Sequence, residues 1–302
     1  MPCSRARPRS GFRLRCAEAT PRSVDEWRRQ AVTELRAAGV DTPLLDANVL
    51  LGEVLDLDPG RILLCGDQLL TAAQSRRAAA MVQRRAAREP VAYIVGRRSF
   101  ANGSVQTTAD VLVPRPETET LVSATLAVAH ELQPRSVIDV GTGSGAVAVA
   151  LARELPEIPM IASDVSRAAL GVARDNLADW GVASRVRLLR ADGLRAMCPR
   201  QTVVTANLPY IPSAVIPTLE PEVSQWEPRQ ALDGGPDGLA AVRSLMRQCA
   251  QTQPLAVILE VAHDQRVRVS ALAAAAGFTC YAVHRDLAGY PRVLDLRPIG
   301  VE

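Results

Sequence analysis

Apolar positions recur along this chain with two different periods, and the change between them divides it. From residue 23 to about 89 the spacing is helical. Ser23 can cap a helix running through Ala38, with Trp27, Val32 and Leu35 on one side and Gly39 ending it. Thr42 and Pro43 predict the cap and first turn of a second helix reaching about Leu55. After a short apolar segment at 61–64, Thr71 predicts the start of a third helix that ends near Glu89. Residues 91–113 read as a connecting hairpin with Asn102-Gly103 as its turn. From Glu117 onward short apolar runs alternate with helical stretches, the pattern of a parallel, doubly wound sheet. Residues 136–140, 160–163, 186–190 and 202–206 are predicted strands. The alternation breaks near the end, where Val283 and residues 292–296 predict a closing antiparallel pair, with Gly289-Tyr290-Pro291 in the turn. The expected organisation is an arm at 1–22, a helical domain at 23–89, a hairpin linker at 90–115 and an α/β domain at 116–302.

Composition adds little to that outline, but charge does. At 302 residues the chain can bury a large core and a small one. Its apolar runs are a handful of residues long, far below a membrane span. All 35 basic residues are arginine. Residues 1–22 carry Arg5, Arg7, Arg9, Arg13, Arg15 and Arg22 against Glu18 alone, so the rest holds 29 basic and 31 acidic residues and a net charge of −2. The positive balance belongs to the arm, which reads as a dispensable tail, an over-extended start or an organelle targeting peptide. Arg76, Arg77, Arg84, Arg85 and Arg88 predict a basic stripe on the third helix, read as a solvated face. Six cysteines without paired spacing and three scattered histidines suggest neither disulfides nor a metal site, and a reducing cytoplasm is the expected home.

Two motifs carry chemistry. The strand at 136–140 runs into Gly141-Thr142-Gly143-Ser144-Gly145 and then a helix of small residues, a strand–glycine turn–helix unit suited to a nucleotide. Asp139 ends the approach to the loop. Asp164, at the end of the next strand, stands where an acid accepts hydrogen bonds from ribose hydroxyls, and Asp192 with Gly193 ends the third strand near an adenine edge. Gly141 to Ala146 also fits a looser dinucleotide fingerprint, which leaves a nicotinamide oxidoreductase as one reading.

Asn207-Leu208-Pro209-Tyr210 follows the strand at 202–206 and argues otherwise. The Asn207 side-chain oxygen and the Leu208 carbonyl can accept the two hydrogens of a planar NH2 group. Pro209 holds Leu208 extended, and Tyr210 offers a flat face. An amide nitrogen is a poor nucleophile, and a clamp on its hydrogens aims its remaining lobe at an electrophile. Hydride transfer has no use for such a clamp; methyl transfer from S-adenosylmethionine does. The bland reading of the tetrapeptide is an ordinary strand exit.

Beyond residue 23 the chain resembles the peptide chain release factor N5-glutamine methyltransferases, bacterial enzymes that methylate the Gly-Gly-Gln (GGQ) loop of class-one release factors. The resemblance rests on Val113-Pro114-Arg115-Pro116-Glu117-Thr118-Glu119, Asp139 to Gly145, Trp226-Glu227-Pro228-Arg229 with Leu232-Asp233-Gly234-Gly235, and Arg285-Asp286-Leu287-Ala288-Gly289. Three positions depart from the usual pattern: Leu208 replaces a proline, Ala101 stands where a second aromatic is common, and Ala262 replaces a glycine. The resemblance implies a class I, Rossmann-like methyltransferase sheet with a helical N-terminal substrate-recognition domain. It also implies S-adenosylmethionine on Asp139, residues 141–145, Asp164, Asp192, Gly193 and Asn207, and a glutamine amide held by Asn207, Leu208, Pro209 and Tyr210. Class-one release factors are the expected partners, with no metal, no membrane and no direct nucleic-acid binding. Three readings stand beside it: a methyltransferase for an exocyclic amine of a flipped base in DNA or RNA, a glutamine methyltransferase for another protein, and a non-catalytic module whose helical part docks on a partner.

Overall fold

The computed structural model describes residues 22–195 and 197–300, so nearly all of the arm lies outside the described residues. They form two compact units divided between Ala87 and Arg88.

The first unit is helical. Ser23 and Glu26 form a reciprocal capping box at the start of α1 (Val24–Ala37), which buries Trp27, Ala31 and Leu35. The α2 helix (Pro43–Leu55) buries Leu50, Leu51 and Val54, a 3₁₀ turn (Arg61–Leu64) adds Ile62, and α3 (Ala72–Ala86) begins at a Thr71–Gln74 capping box. Two expectations change here. Thr42 makes no backbone cap; its hydroxyl donates to Asp46 Oδ1 at 2.9 Å. That carboxylate in turn accepts from Arg85 Nε at 2.7 Å, and both residues are buried. The predicted basic stripe is therefore interrupted: Arg76, Arg77 and Arg84 are exposed, whereas Arg85 is a core ion pair.

In the second unit, Arg88 adopts a left-handed conformation and its guanidinium binds Glu222 at 2.6 and 2.7 Å. The segment expected to be wholly hairpin starts as a short helix, α4 (Val91–Val95), before β1 (Arg97–Phe100) and β2 (Gly103–Gln106) pair antiparallel. Phe100 is opposite Gly103, so the turn is Ala101-Asn102, both with positive φ, and not Asn102-Gly103. Gly103 is a strand residue with the Trp180 ring lying where a Cβ would stand.

The remainder alternates as predicted: α5 (Thr118–Leu132), β3 (Ser136–Val140), α6 (Ala146–Glu154), β4 (Met160–Asp164), α7 (Arg167–Asp179), β5 (Val186–Arg190), β6 (Thr202–Asn207), α8 (Arg229–Leu232), α9 (Ala240–Thr252), β7 (Ala256–Glu260), α10 (Arg266–Ala275), β8 (Phe278–Arg285) and β9 (Pro291–Pro298). The sheet order is β5-β4-β3-β6-β7-β9-β8. Its first five strands are parallel and β9 runs antiparallel to both neighbours, which is the closing pair. Alternate strand residues feed two cores. Val137, Val203 and Ile258 pack under α5, α6 and α7, and Ile138, Val204 and Val257 pack under α9 and α10. Strand order reverses between β3 and β6, and the crevice beyond their carboxyl ends is where such sheets bind ligands.

Candidate active site

A cavity of about 540 Å³ opens at that crevice. Its floor is the loop after β3. Gly141 has φ +74, and a Cβ there would lie 3.2 Å from Leu208 Cδ2, so Leu208 packs directly on the glycine. This is what leucine does in place of proline: its side chain is 9% exposed and joins the core cluster of Val140 and Leu239. Gly145 meets a packing demand. With φ +79 and Ala173 Cβ 3.0 Å from any added Cβ, it lets α6 approach α7, and it is absent from the cavity lining.

The loop amides are already engaged. The N–H groups of Gly141 and Thr142 donate to the Ser163 carbonyl, that of Gly143 to Asp164 Oδ2 at 3.0 Å, and that of Gly145 to the Thr142 carbonyl. A pyrophosphate would need those donors. The lining carries Asp110, Asp139, Asp164, Asp192 and Asp233 against a single arginine, Arg115, which is itself bound to Glu227 at 2.6 Å. Such a site disfavours an anionic dinucleotide and suits a ligand with positive charge. Asp139 is 2% exposed and accepts from the Thr142 hydroxyl at 2.6 Å. Burial, reinforced by the charge of Asp164, pushes its carboxyl up to about 7 against the pull of the Thr142 and Ala148 hydrogen bonds. Asp164 Oδ1 accepts from the Ser166 N–H at 2.8 Å, and each of its oxygens keeps a second lone pair. Asp192 is largely exposed beside Arg195, and it lines the cavity with Gly193.

The Asn-Leu-Pro-Tyr tetrapeptide stands at the other end. Asn207, Leu208 and Pro209 line the main cavity, whereas Tyr210 lines a second one of about 300 Å³. Asn207, Leu208, Arg115, Leu112 and Ala231 belong to both, so Asn207 and Leu208 sit where the two spaces meet. Apolar residues Ile211, Leu219, Val223 and Leu232 complete the second space. Burial, helped by the charge of Glu260, raises the Tyr210 phenol. Its carbonyl accepts from Gln265 Nε2 at 2.9 Å, tying the clamp to the loop at Gly238.

Three site residues escape a reading of separate motifs. Thr118 opens α5, and Asn207 Nδ2 donates to its hydroxyl at 3.2 Å. Glu260 ends β7 and is the cross-strand partner of Asn207. Glu227, 6% exposed, holds Arg115 between the two cavities, its own carboxyl raised by burial and lowered by that arginine. The signal for Glu227 lay in the two separated motifs that supply it and Arg115.

A family described as the PrmC N-terminal domain matches residues 26–96, and the methyltransferase small domain matches residues 116–212. A release factor glutamine methyltransferase from Cereibacter sphaeroides is 41% identical over 271 residues, covering 89% of this chain and 96% of that protein. One from Rhodospirillum rubrum is 39% identical over 265 residues, covering 87% and 81%. The chain belongs to the release factor glutamine methyltransferase family. Among solved structures, the catalytic domain of hMettl16 in complex with a 3′UTR hairpin shares the methyltransferase fold at a TM-score of 0.51 and 12% identity, over 78% of this chain and 86% of that one. As a release factor glutamine methyltransferase family member the protein is an enzyme of the Rossmann-like methyltransferase fold. Among the described residues no group of His, Cys, Asp and Glu could hold a metal ion, and no helix is long and apolar enough to cross a membrane.

Proposed function

We propose that the protein transfers a methyl group from S-adenosylmethionine to the side-chain amide nitrogen of the glutamine in the Gly-Gly-Gln loop of class-one release factors. The observation that carries this reading is the place of Asn207 at the junction of the two cavities, with its NH2 engaged by Thr118. Its Oδ1 and the Leu208 carbonyl are then the acceptors for both hydrogens of a substrate amide. The five-aspartate lining fits the cofactor, whose sulfonium and ammonium outweigh its one carboxylate. In this reading Asp139 and the turn at 141–144 hold the methionine part, Asp164 the ribose, and Asp192 with Gly193 the adenine side. Gly145 acts through helix packing only. When bound, the cofactor supplies an electrophilic methyl on sulfur.

The chain's part is positioning. Asn207 and the Leu208 carbonyl hold the amide in plane, and Tyr210 and the apolar second cavity receive the neighbouring substrate chain. Loss of orientation of this kind costs on the order of a hundredfold or more. The test is mass spectrometry of a release factor's Gly-Gly-Gln peptide after incubation with protein and cofactor. One added methyl on the glutamine is expected, and Asn207→Ala should lower the rate at least a hundredfold with cofactor affinity nearly unchanged. An unmodified glutamine despite measured cofactor binding overturns the substrate; a parallel fall in affinity overturns the division of roles.

A further inference from the structure

The clamp reading uses Asn207 as an acceptor, but a carboxamide has two faces and either can point outward. Turned the wrong way, Asn207 would present its own NH2 to the substrate NH2, donor against donor. Something must therefore choose its orientation.

Glu260 has no place in the clamp or the cofactor loop, yet it is 2% exposed at the end of β7, in register with Asn207. Both Thr118 and Asn207 direct hydrogen-bonding groups at its carboxylate. Its Oε2 is buried without a hydrogen-bond partner. A carboxylate accepts and cannot donate, so only the Nδ2 face of Asn207 can meet it favourably. Thr118 completes the set: its oxygen accepts from Asn207 Nδ2 at 3.2 Å, which leaves the hydroxyl proton for Glu260.

We propose that Glu260 is a positioning residue that sets the orientation of the Asn207 amide, drawing Nδ2 inward and leaving Oδ1 for the hydrogens of the substrate nitrogen. The inference rests on the reading of Asn207 given above. It makes the clamp conditional on the charge of a residue that never touches substrate. A protonated Glu260 gains an O–H, and Asn207 answers it by turning Oδ1 inward. Burial raises this carboxyl to about 7, with Arg292 and the two hydrogen bonds opposing and Glu117 assisting. Tyr210 and Arg115 stand in the same electrostatic neighbourhood, and Asp286 holds Arg292 at 3.1 Å. Of these, Glu260 is the group in strand register with Asn207, whose Nδ2 is hydrogen-bonded to Thr118.

The test follows the Asn207 side-chain NH2 signal by nitrogen-15 NMR in the full chain, assigned by its loss in Asn207→Ala, from pH 5.5 to 8.5. A transition near 7 in the wild type and none in Glu260→Gln is expected. In parallel, kcat at saturating cofactor should fall below pH 7 in the wild type. In Glu260→Gln it should be flat and about tenfold lower at pH 8, with KM for cofactor within about twofold, because a neutral amide accepts either face of Asn207. Saturation separates this from Asp139, whose charge acts on cofactor affinity. A pH-indifferent Asn207 signal, or the same transition in Glu260→Gln, overturns the proposal, and the wild-type titration decides it even if the variant fails to fold. A moving signal with no methylation of the Gly-Gly-Gln peptide leaves the positioning role intact and removes the substrate instead.

Discussion

Asp139 should make the protein less stable as pH rises, and replacing it with asparagine should relieve that loss. Its carboxyl is buried at the end of a central strand, and burial lifts it from 3.8 to about 7. The folded state therefore holds the proton more tightly than the unfolded chain. Its contribution is full below about 3.8 and is lost as pH climbs through 7, since the unfolded state binds fewer protons across that window. At about 1.4 kcal/mol per tenfold change in proton affinity, the total is on the order of 4 kcal/mol. The Asp139→Asn variant keeps an oxygen for the Thr142 hydroxyl, which donates to the wild-type carboxylate at 2.6 Å, and it has no charge to bury. Urea unfolding of wild type and Asp139→Asn at pH 5 and pH 8 tests this in a Trp27→Phe background, so that fluorescence reports Trp180 and Trp226 of the second unit alone. The variant should be ahead by about 1.5 kcal/mol at pH 5 and by about 4 kcal/mol at pH 8. A difference independent of pH would falsify the assignment of the burden to this carboxyl. The same charge should help a cationic ligand: wild-type affinity for S-adenosylmethionine should rise from pH 6 to 8, and that of Asp139→Asn should stay level.

Two further substitutions probe the scaffold. Gly145→Ala forces a side chain into a left-handed backbone 3.0 Å from Ala173 Cβ. It should cost about 2–4 kcal/mol in urea unfolding while cofactor still binds below the transition; a loss under 1 kcal/mol would show that the two helices yield. Arg85→Ala strands Asp46 in the first unit's core and should cost about 3–5 kcal/mol, with Arg85→Met/Asp46→Leu recovering most of it. If the double variant is no better than the single one, the pair is not the source of the loss.

The cavity-lining positions of the Asn-Leu-Pro-Tyr tetrapeptide and of residues 141–144 were legible because the strand-to-turn transitions that place them are local events in sequence. Asn207 follows a fully buried strand, and Gly141 must be glycine for the chain to turn under Leu208. Locality is silent on the packing demand at Gly145, since it comes from Ala173 on another helix. It misplaced the hairpin turn: Asn102-Gly103 is a strong turn signal, but Trp180 occupies the face that Gly103 leaves bare and shifts the pairing by one residue. Helical spacing gave Arg85 to the solvent because the partner that buries it, Asp46, is 39 positions away. Glu260 was beyond local reading altogether, since its relation to Asn207 exists only in the register of β6 on β7.

The strand order carries a practical consequence for anyone dividing this protein. Residues 116–212 contain the glycine loop and the whole Asn-Leu-Pro-Tyr tetrapeptide, and they form a recognisable sequence unit. Cut at that boundary, the chain would end with β6 as the rim of a four-stranded sheet. All of Thr202 to Ala206 is buried in the intact protein, one side of the backbone bonded to β3 and the other to β7. The fragment would expose that second row of N–H and C=O groups on a flat, apolar strand, a template for stacking copies edge to edge. Aggregation, before any question of catalysis, is the outcome to expect from the shortened chain.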